Sequence, residues 1–113
     1  MLNHSSDLDS MFAALADPAR RAVIARLARG PASVSDLAKP LAMSLPAITP
    51  HIKLLEESGF VTSKKIGRVR TCELAPKRLK AAQNWLEQQR HAWEARFDAM
   101  DAFVLSQRDK LDD

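Results

Sequence analysis

The sequence predicts a mainly α-helical chain that carries one β-hairpin, with the elements in the order α-α-α-α-β-β-α. Three observations support this fold class. Apolar residues recur at helical spacing up to residue 59, a strand pattern around a glycine turn occupies residues 60–74, and no glycine or proline interrupts residues 77–113. With 113 residues, 46% of them hydrophobic and 27% charged, the chain can bury a core. We therefore expect one domain over residues 1–113.

The first two helices are separated by an Asp-Pro pair. Asp17 suits the N-cap of the second helix and Pro18 its first position, and Gly30-Pro31 is expected to end that helix. The first helix is defined by apolar residues at helical spacing, Leu8, Met11, Phe12 and Leu15, and the second by Val23, Ile24 and Leu27.

A helix-turn-helix is predicted at about residues 33–59. Ser33 can cap a third, short helix from Val34 to about Lys39. Ser44 can cap a fourth helix that Gly59 closes in the left-handed conformation. The apolar positions of the fourth helix are Ile48, Ile52 and Leu55.

A hairpin at about residues 60–74 and a long C-terminal helix at about residues 76–108 complete the chain. Phe60–Lys65 and Val69–Leu74 are predicted strands around Ile66-Gly67-Arg68. The last helix, rich in strong helix formers, carries an apolar stripe that a domain of this size cannot cover: Leu79, Ala82, Leu86, Trp93, Phe97, Met100, Phe103 and Val104.

Positive charge is concentrated in the middle of the chain. The net charge is +3, but residues 18–53 and 61–80 together carry +11, whereas residues 1–17 and 81–113 each carry −3. Clustered Lys and Arg favour a polyanion because they release condensed counterions from phosphates. Scattered solvated lysines are the alternative explanation on charge alone.

Several classes of protein are not expected. No run of 18 apolar residues exists, and the N-terminus lacks the pattern of a secretory signal, so we expect a cytoplasmic chain without a membrane partner. A single cysteine, Cys72, allows no internal disulfide, and we expect it to be a small buried hydrophobic residue. The sequence contains no glycine-rich phosphate loop and no nucleophile beside a paired His and acid. We therefore do not expect an enzyme.

Motifs along these elements carry a family resemblance. They are Leu15-Ala16-Asp17-Pro18 with Arg20-Arg21, Ser44 to Thr49, His51-Ile52-Lys53 with Leu55, Ser58 to Val61, Lys65 to Arg68, and Glu73-Leu74. In this order and spacing, which covers about residues 8–105, the chain resembles the arsenical-resistance regulator (ArsR-type) family of bacterial winged helix-turn-helix repressors. The resemblance implies a homodimer that binds a double-stranded DNA operator; it specifies no small-molecule inducer.

The fourth helix supplies the first set of expected DNA contacts. At about 100° per residue, Ile48, Ile52 and Leu55 form the buried arc, and the opposite face is the one a major groove would meet. That outward face consists of Pro46, Thr49, Pro50 and Lys53. We expect Thr49 to contact a base or a phosphate, and Lys53 and Ser44 to contact phosphates. Lys53 as an ordinary solvated lysine is the alternative, and His51 is equally a DNA contact or a packing residue.

The hairpin supplies the second set, Lys64, Lys65, Arg68 and Arg70. The resemblance makes this hairpin a wing whose tip lies along the sugar-phosphate backbone or enters the minor groove. The alternative is a cluster of edge-strand charges that prevents aggregation.

Pro50 departs from the family pattern, which usually has a polar or basic residue there. A proline at about the sixth helical position removes a backbone hydrogen bond and costs about 3 kcal/mol in a helix interior. We therefore expect a kink or a late helix start, with Thr49 biased away from helical angles. Pro50 also supports an alternative function, a dimeric protein-interaction module that has lost DNA binding, although the basic segments argue against it.

The metal sites of the family are expected to be absent. Where the family has Cys-Val-Cys-Asp-Leu, this chain has Ser33-Val34-Ser35-Asp36-Leu37, and serine hydroxyls are poor ligands for soft ions. His91 and Glu94 match half of the second family site, but residues 78–80 offer no Asp-x-His partner. We expect no metal and no cofactor; a metal-sensing repressor with an atypical site is the remaining alternative.

The C-terminal pattern Trp85, Trp93-Glu94, Arg96-Phe97 and Met100 resembles the non-metal branch of the family. We expect its apolar stripe to be a dimer core rather than a ligand box. The expected interface combines the first and last helices through Leu8, Met11, Phe12, Leu15, Leu86, Trp93, Phe97 and Met100.

Overall fold

The computed structural model describes residues 6–112, and within this range it confirms a mainly helical chain with one hairpin. The elements are α1 (Ser6–Leu15), α2 (Pro18–Leu27), β1 (Ala32–Ser33), α3 (Val34–Ala38), a 3-10 helix (Lys39–Leu41), α4 (Leu45–Glu57), β2 (Val61–Ile66), β3 (Val69–Leu74) and α5 (Pro76–Asp112). They form two compact units, one ending at Ala81 and the other beginning at Ala82 within α5. The expectation of a single domain stays a prediction.

Capping side chains set the helix starts, as the sequence predicts. Asp17 accepts a 3.0 Å hydrogen bond from the Arg20 backbone N–H, and Ser33 accepts one of 3.1 Å from Asp36. Pro18 occupies the first turn of α2, where its missing N–H would have had no helical partner.

The helix-turn-helix is built from α3 and α4, but α3 is shorter than predicted. It ends at Ala38, and the 3-10 helix that follows contains Pro40. The turn is a Schellman motif: the N–H of Met43 donates to Ala38 at 3.1 Å and that of Ala42 to Lys39 at 3.0 Å. Ala42 takes the left-handed position, with φ +53°, where glycine is the usual residue.

The end of α4 repeats this arrangement with glycine. The Phe60 N–H donates to Leu55 and the Gly59 N–H to Glu56, with Gly59 at φ +87° as predicted. Phe60 thereby belongs to the helix cap, so that β2 begins one residue later than expected, at Val61.

The sheet has three antiparallel strands in the order β1-β3-β2, one more than the sequence predicts. The unpredicted β1 pairs Ala32 with Cys72 and Ser33 with Thr71. A two-residue strand is too short to show an alternating pattern. The hairpin register runs from Val61 opposite Leu74 to Ile66 opposite Val69.

The core of the first unit is formed by residues of α1, α2, α3 and α4, of the three strands, and by Phe60. Its buried hydrophobic residues are Met11, Ala14, Val23, Leu27, Ala32, Leu37, Ala38, Ile48, Ile52, Leu55, Phe60, Val61 and Cys72. Burial of Cys72 is confirmed. The assignment of Met11 to a dimer interface is corrected: its side chain is 2% exposed within this chain, so it has almost no surface left to bury against a partner.

The second unit is the helical stretch of α5 from Ala82, and α5 extends four residues past the predicted end at Arg108. Its large apolar side chains remain exposed, among them Leu86, Trp93, Phe97 and Met100. Trp93 and Phe97 stack in a tilted geometry with ring centroids 5.7 Å apart. Over the residues that the structure describes, no helix is long and apolar enough to cross a membrane.

Candidate nucleic-acid interface

The interface begins with α4, which is continuous through Pro50. Its N-cap is Ser44, whose Oγ accepts from the Ala47 N–H at 3.2 Å, and the helix runs without a break to Glu57. The expectation of a late start is therefore wrong. Pro50 has no N–H to donate to the Pro46 carbonyl, and Pro46 is an exposed residue.

Thr49 stays helical although a proline follows it. Its Oγ1 donates a 2.6 Å hydrogen bond to the Leu45 carbonyl one turn earlier. This bond uses the hydroxyl proton on the helix backbone and leaves the hydroxyl oxygen able only to accept a further hydrogen bond.

The two faces of α4 divide as predicted. Ile48, Ile52 and Leu55 are buried, whereas Pro46, Thr49, Pro50 and Lys53 are exposed. Leu45 is also 51% exposed beside Thr49. The exposed face of the first two turns of α4 is therefore mainly apolar, with Lys53 one turn beyond.

His51 does not belong to this exposed face. Its side chain is half-buried, and its Nδ1 lies 3.4 Å from Arg20 Nη1 and 3.8 Å from Asp17 Oδ2. Arg20 also donates to the Ala14 carbonyl at 2.8 Å. Of the two predicted roles of His51, packing against α2 is the one that these contacts favour, and the DNA contact stays a prediction.

The Asp17 carboxylate in this cluster is stabilised in its charged form. The hydrogen bond from the Arg20 backbone lowers the pKa of Asp17; partial burial opposes the shift, and the charges of His51 and Arg20 lower the pKa further. One carboxylate thus caps α2 and faces α4.

The four cations of the wing lie on the two faces of the hairpin and in its turn. Lys65 and Arg70 are opposite each other in the hairpin, and strand alternation puts them on the face that also carries Ser63 and Cys72. Lys64, opposite Thr71, lies on the other face. Arg68 occupies the turn, next to Gly67 at φ +64°.

A hydrogen-bond relay that was not predicted joins the wing to α4. Ser63 Oγ donates to Glu56 Oε1 at 2.8 Å and accepts from Arg70 Nη1 at 2.8 Å. Beneath it, burial raises the pKa of the Cys72 thiol; Glu56 adds to this shift and Arg70 opposes it. Cys72 therefore remains a protonated, unreactive thiol. The sequence offers no local signal for this relay, because its three residues lie on three elements.

These elements enclose an open groove of about 730 Å³ between α3, α4 and the wing. It is lined by Ser33, Val34, Ser35, Leu45, Thr49, Ile52, Lys53, Glu56, Arg68, Val69 and Arg70. Four of the predicted DNA contacts, Thr49, Lys53, Arg68 and Arg70, thus meet on one concave surface. Ser44, Lys64 and Lys65 are exposed but do not line it.

Ser33 and Ser35, at the positions of the family's thiolate site, lie at the start of α3 in the part of the chain that the structure describes. No group of three or more His, Cys, Asp or Glu side chains lies close enough to hold a metal ion there. His91 is exposed on α5, and Glu94 lies 3.7 Å from Arg90.

The chain is similar in sequence to known helix-turn-helix proteins. A family model described as a helix-turn-helix domain matches residues 15–64. The HTH-type transcriptional regulator Rv2034 of Mycobacterium tuberculosis is 39% identical over 79 residues, which cover 70% of this chain and 74% of that protein.

Solved structures show the same likeness. The crystal structure of the ArsR family transcriptional regulator RHA00566 matches with a TM-score of 0.75 and 49% identity, covering 83% of this chain and 97% of that one. An ArsR-like transcriptional regulator from Rhodococcus sp. RHA1 matches with a TM-score of 0.71 and 34% identity, covering 84% and 90%.

Proposed function

The chain belongs to the ArsR family of winged helix-turn-helix transcriptional regulators, which bind DNA, and we propose that it acts as a homodimeric repressor without a metal site. In this proposal it works in the cytoplasm and has no catalytic activity. Each subunit places α4 in the major groove of one operator half-site, and its wing contacts the flanking backbone. Repression follows because the bound dimer occupies promoter DNA.

The observation that carries this proposal is the concave surface shared by α4 and the wing. Lys53, Arg68 and Arg70 line it from two elements, with Thr49 between them. Cations on both walls of a groove can contact phosphates on either side of a helix inserted in DNA. Ser44 adds a hydroxyl at the N-terminus of α4, where a phosphate is favoured.

The dimer is supported by the exposed apolar residues of α5. Leu86, Trp93, Phe97 and Met100 are each more than half exposed in one chain. Large apolar side chains exposed along one helix mark an interaction surface. With Met11 removed, the proposed interface on α1 keeps Leu8, Phe12 and Leu15, which are half-buried. A two-fold dimer presents two α4 helices to a near-palindromic site.

The proposal is tested by fluorescence anisotropy with duplexes selected by the protein from a random-sequence library. The selected duplex should bind more tightly than random DNA, and its affinity should fall steeply between about 50 and 200 mM salt. Zinc, cadmium and arsenite should leave this affinity unchanged. If Lys53→Ala and Arg68→Ala both bind as tightly as the parent at about 150 mM salt, the docking surface is wrong. A function in protein interaction then takes its place.

Because α4 continues through Pro50, a late helix start no longer supports that alternative; the absence of a polar or basic side chain at this position still does. A metal-responsive repressor with an atypical site would instead be revealed by stoichiometric metal binding in calorimetry.

A further inference from the structure

The exposed face of the first two turns of α4 is unusual for a helix that reads bases. Between Ser44 and Pro50 the sequence contains no Arg, Lys, Asn or Gln, the side chains that make bidentate hydrogen bonds to purines. The exposed residues there are Ser44, Leu45, Pro46, Ala47, Thr49 and Pro50. Hydrocarbon dominates the surface that the proposed docking presents to base edges.

Both hydroxyls of this segment make hydrogen bonds with the helix backbone, and Ser44 keeps its proton to donate to a phosphate. Ser44 Oγ caps α4 at the Ala47 N–H, and Thr49 uses its proton to bond the Leu45 carbonyl at 2.6 Å. Thr49 can therefore accept a hydrogen bond but not donate one while this bond is made. Guanine presents only acceptors, N7 and O6, in the major groove, so Thr49 does not suit it.

A thymine–adenine pair matches both properties of this face. Thymine presents its C5-methyl group in the major groove, and the paired adenine presents an N6 amino donor. The methyl group of Thr49 can pack on the thymine methyl while its Oγ1 accepts from the adenine. The rings of Pro46 and Pro50 add apolar surface whose burial costs no rotamer entropy.

We propose that α4 reads its half-site mainly through thymine methyl groups, with Thr49 and Pro50 as the specificity-determining residues. This inference rests on the proposed docking of α4 in the major groove. In this docking, Lys53 and the wing cations supply affinity by contacting phosphates, and the apolar face of α4 determines which DNA sequence is preferred.

Base analogues on the selected duplex provide the test, since they alter single major-groove atoms. Replacing a contacted thymine by deoxyuridine removes only the methyl group and should weaken binding about fourfold, or about sixteenfold when both half-sites are changed. Replacing guanines by 7-deazaguanine removes the N7 acceptor and should change binding less than twofold. Deoxyuridine at flanking thymines outside the site is the control.

Two variants assign the effect to Thr49. Thr49→Ser keeps the hydroxyl and loses the methyl group, so it should reduce the penalty of deoxyuridine at one thymine to less than twofold. Thr49→Val keeps a methyl group at the same place and should retain that penalty. Pro50→Ala should reduce the penalty at a neighbouring thymine, whereas Pro40→Ala, an exposed proline outside α4, should not.

The outcomes separate this inference from the proposed function. If 7-deazaguanine weakens binding and deoxyuridine does not, the proposed reading of thymine methyl groups is overturned, while sequence-specific DNA binding remains intact. If no selected duplex binds better than random DNA at either salt concentration, the proposed function itself fails and the inference fails with it.

Discussion

Glu56 on α4 and Arg70 on β3 are held together by a single hydroxyl, that of Ser63 on β2, with 2.8 Å to each partner. The relay orients a wing cation toward the same groove that Thr49 and Lys53 line. It also places the negative charge of Glu56 on a surface proposed to meet phosphates. The effect of this charge on DNA binding and the effect of the hydrogen bonds on stability can therefore be tested by different substitutions.

Glu56→Gln should strengthen binding to random DNA by about fivefold at low salt. The amide oxygen can still accept from Ser63, but a repulsive charge near phosphates, on the order of 1 kcal/mol, is removed. The gain should shrink at high salt because of screening. Glu57→Gln, an exposed neighbour that does not line the groove, is the control, and an equal gain from it would assign the effect to net charge.

Ser63→Ala should lower the free energy of unfolding by about 1 kcal/mol, since two partly exposed hydrogen bonds are lost. Urea denaturation of the variant measures this. Thr62→Ala, on the exposed face of the same strand, serves as the comparison. Equal stability of Ser63→Ala and the parent would show that the relay does not hold the wing.

Arg68→Ala should weaken binding to selected and random DNA alike and lower the salt slope by about 1 per subunit. Arg68 lies in the hairpin turn between β2 and β3, and in the proposed docking it contacts the sugar-phosphate backbone. Anisotropy titrations at several salt concentrations measure the slope. A loss confined to the selected duplex would instead assign Arg68 to base readout.

Ala42→Gly and Gly59→Ala should change stability in opposite directions, because they occupy the same left-handed position of two Schellman motifs. Ala42→Gly relieves the left-handed strain of an L-residue and should add about 0.5–1 kcal/mol to the free energy of unfolding, after the greater chain entropy of glycine is subtracted. Gly59→Ala should cost at least about 1 kcal/mol, since its Cβ would also collide with the Arg78 side chain. Denaturant titrations of both variants test the pair, and effects of the same sign would contradict this account.

Asp17→Asn should flatten the loss of stability in acid. The pKa of Asp17 is lowered in the folded chain, so the stability it contributes is present above its unfolded pKa and is lost as pH falls through the lower folded pKa. Asparagine caps α2 equally well but does not titrate. Thermal unfolding between about pH 2 and 6 compares the two proteins; parallel curves would exclude a role for Asp17 in the acid transition.

Much of the fold could be predicted because its determinants are local. Asp17, Ser33 and Ser44 cap the helices they were expected to cap, and Gly59 has the expected backbone conformation. The burial of Ile48, Ile52 and Leu55 follows from helical periodicity alone.

What the sequence did not reveal depends on contacts between elements. The strand β1 exists only because β3 pairs with it, and the packing role of His51 depends on Asp17 and Arg20 of the neighbouring helix. Met11 has the spacing of an interface residue, but periodicity cannot distinguish burial within one chain from burial between two. At Pro50 the helix is continuous where propensity predicts disruption, and Ile48, Ile52 and Leu55 on either side of it are buried in the core.

Ser33 has two structural roles: it is the last residue of β1 and also the N-cap of α3. No linker residue separates the sheet from the helix, so an inserted residue would rotate α3 by about 100° relative to the strand that anchors it. We expect this junction to tolerate no change in length. Insertions and deletions among related sequences should therefore accumulate elsewhere, most readily in the exposed turn at Gly67.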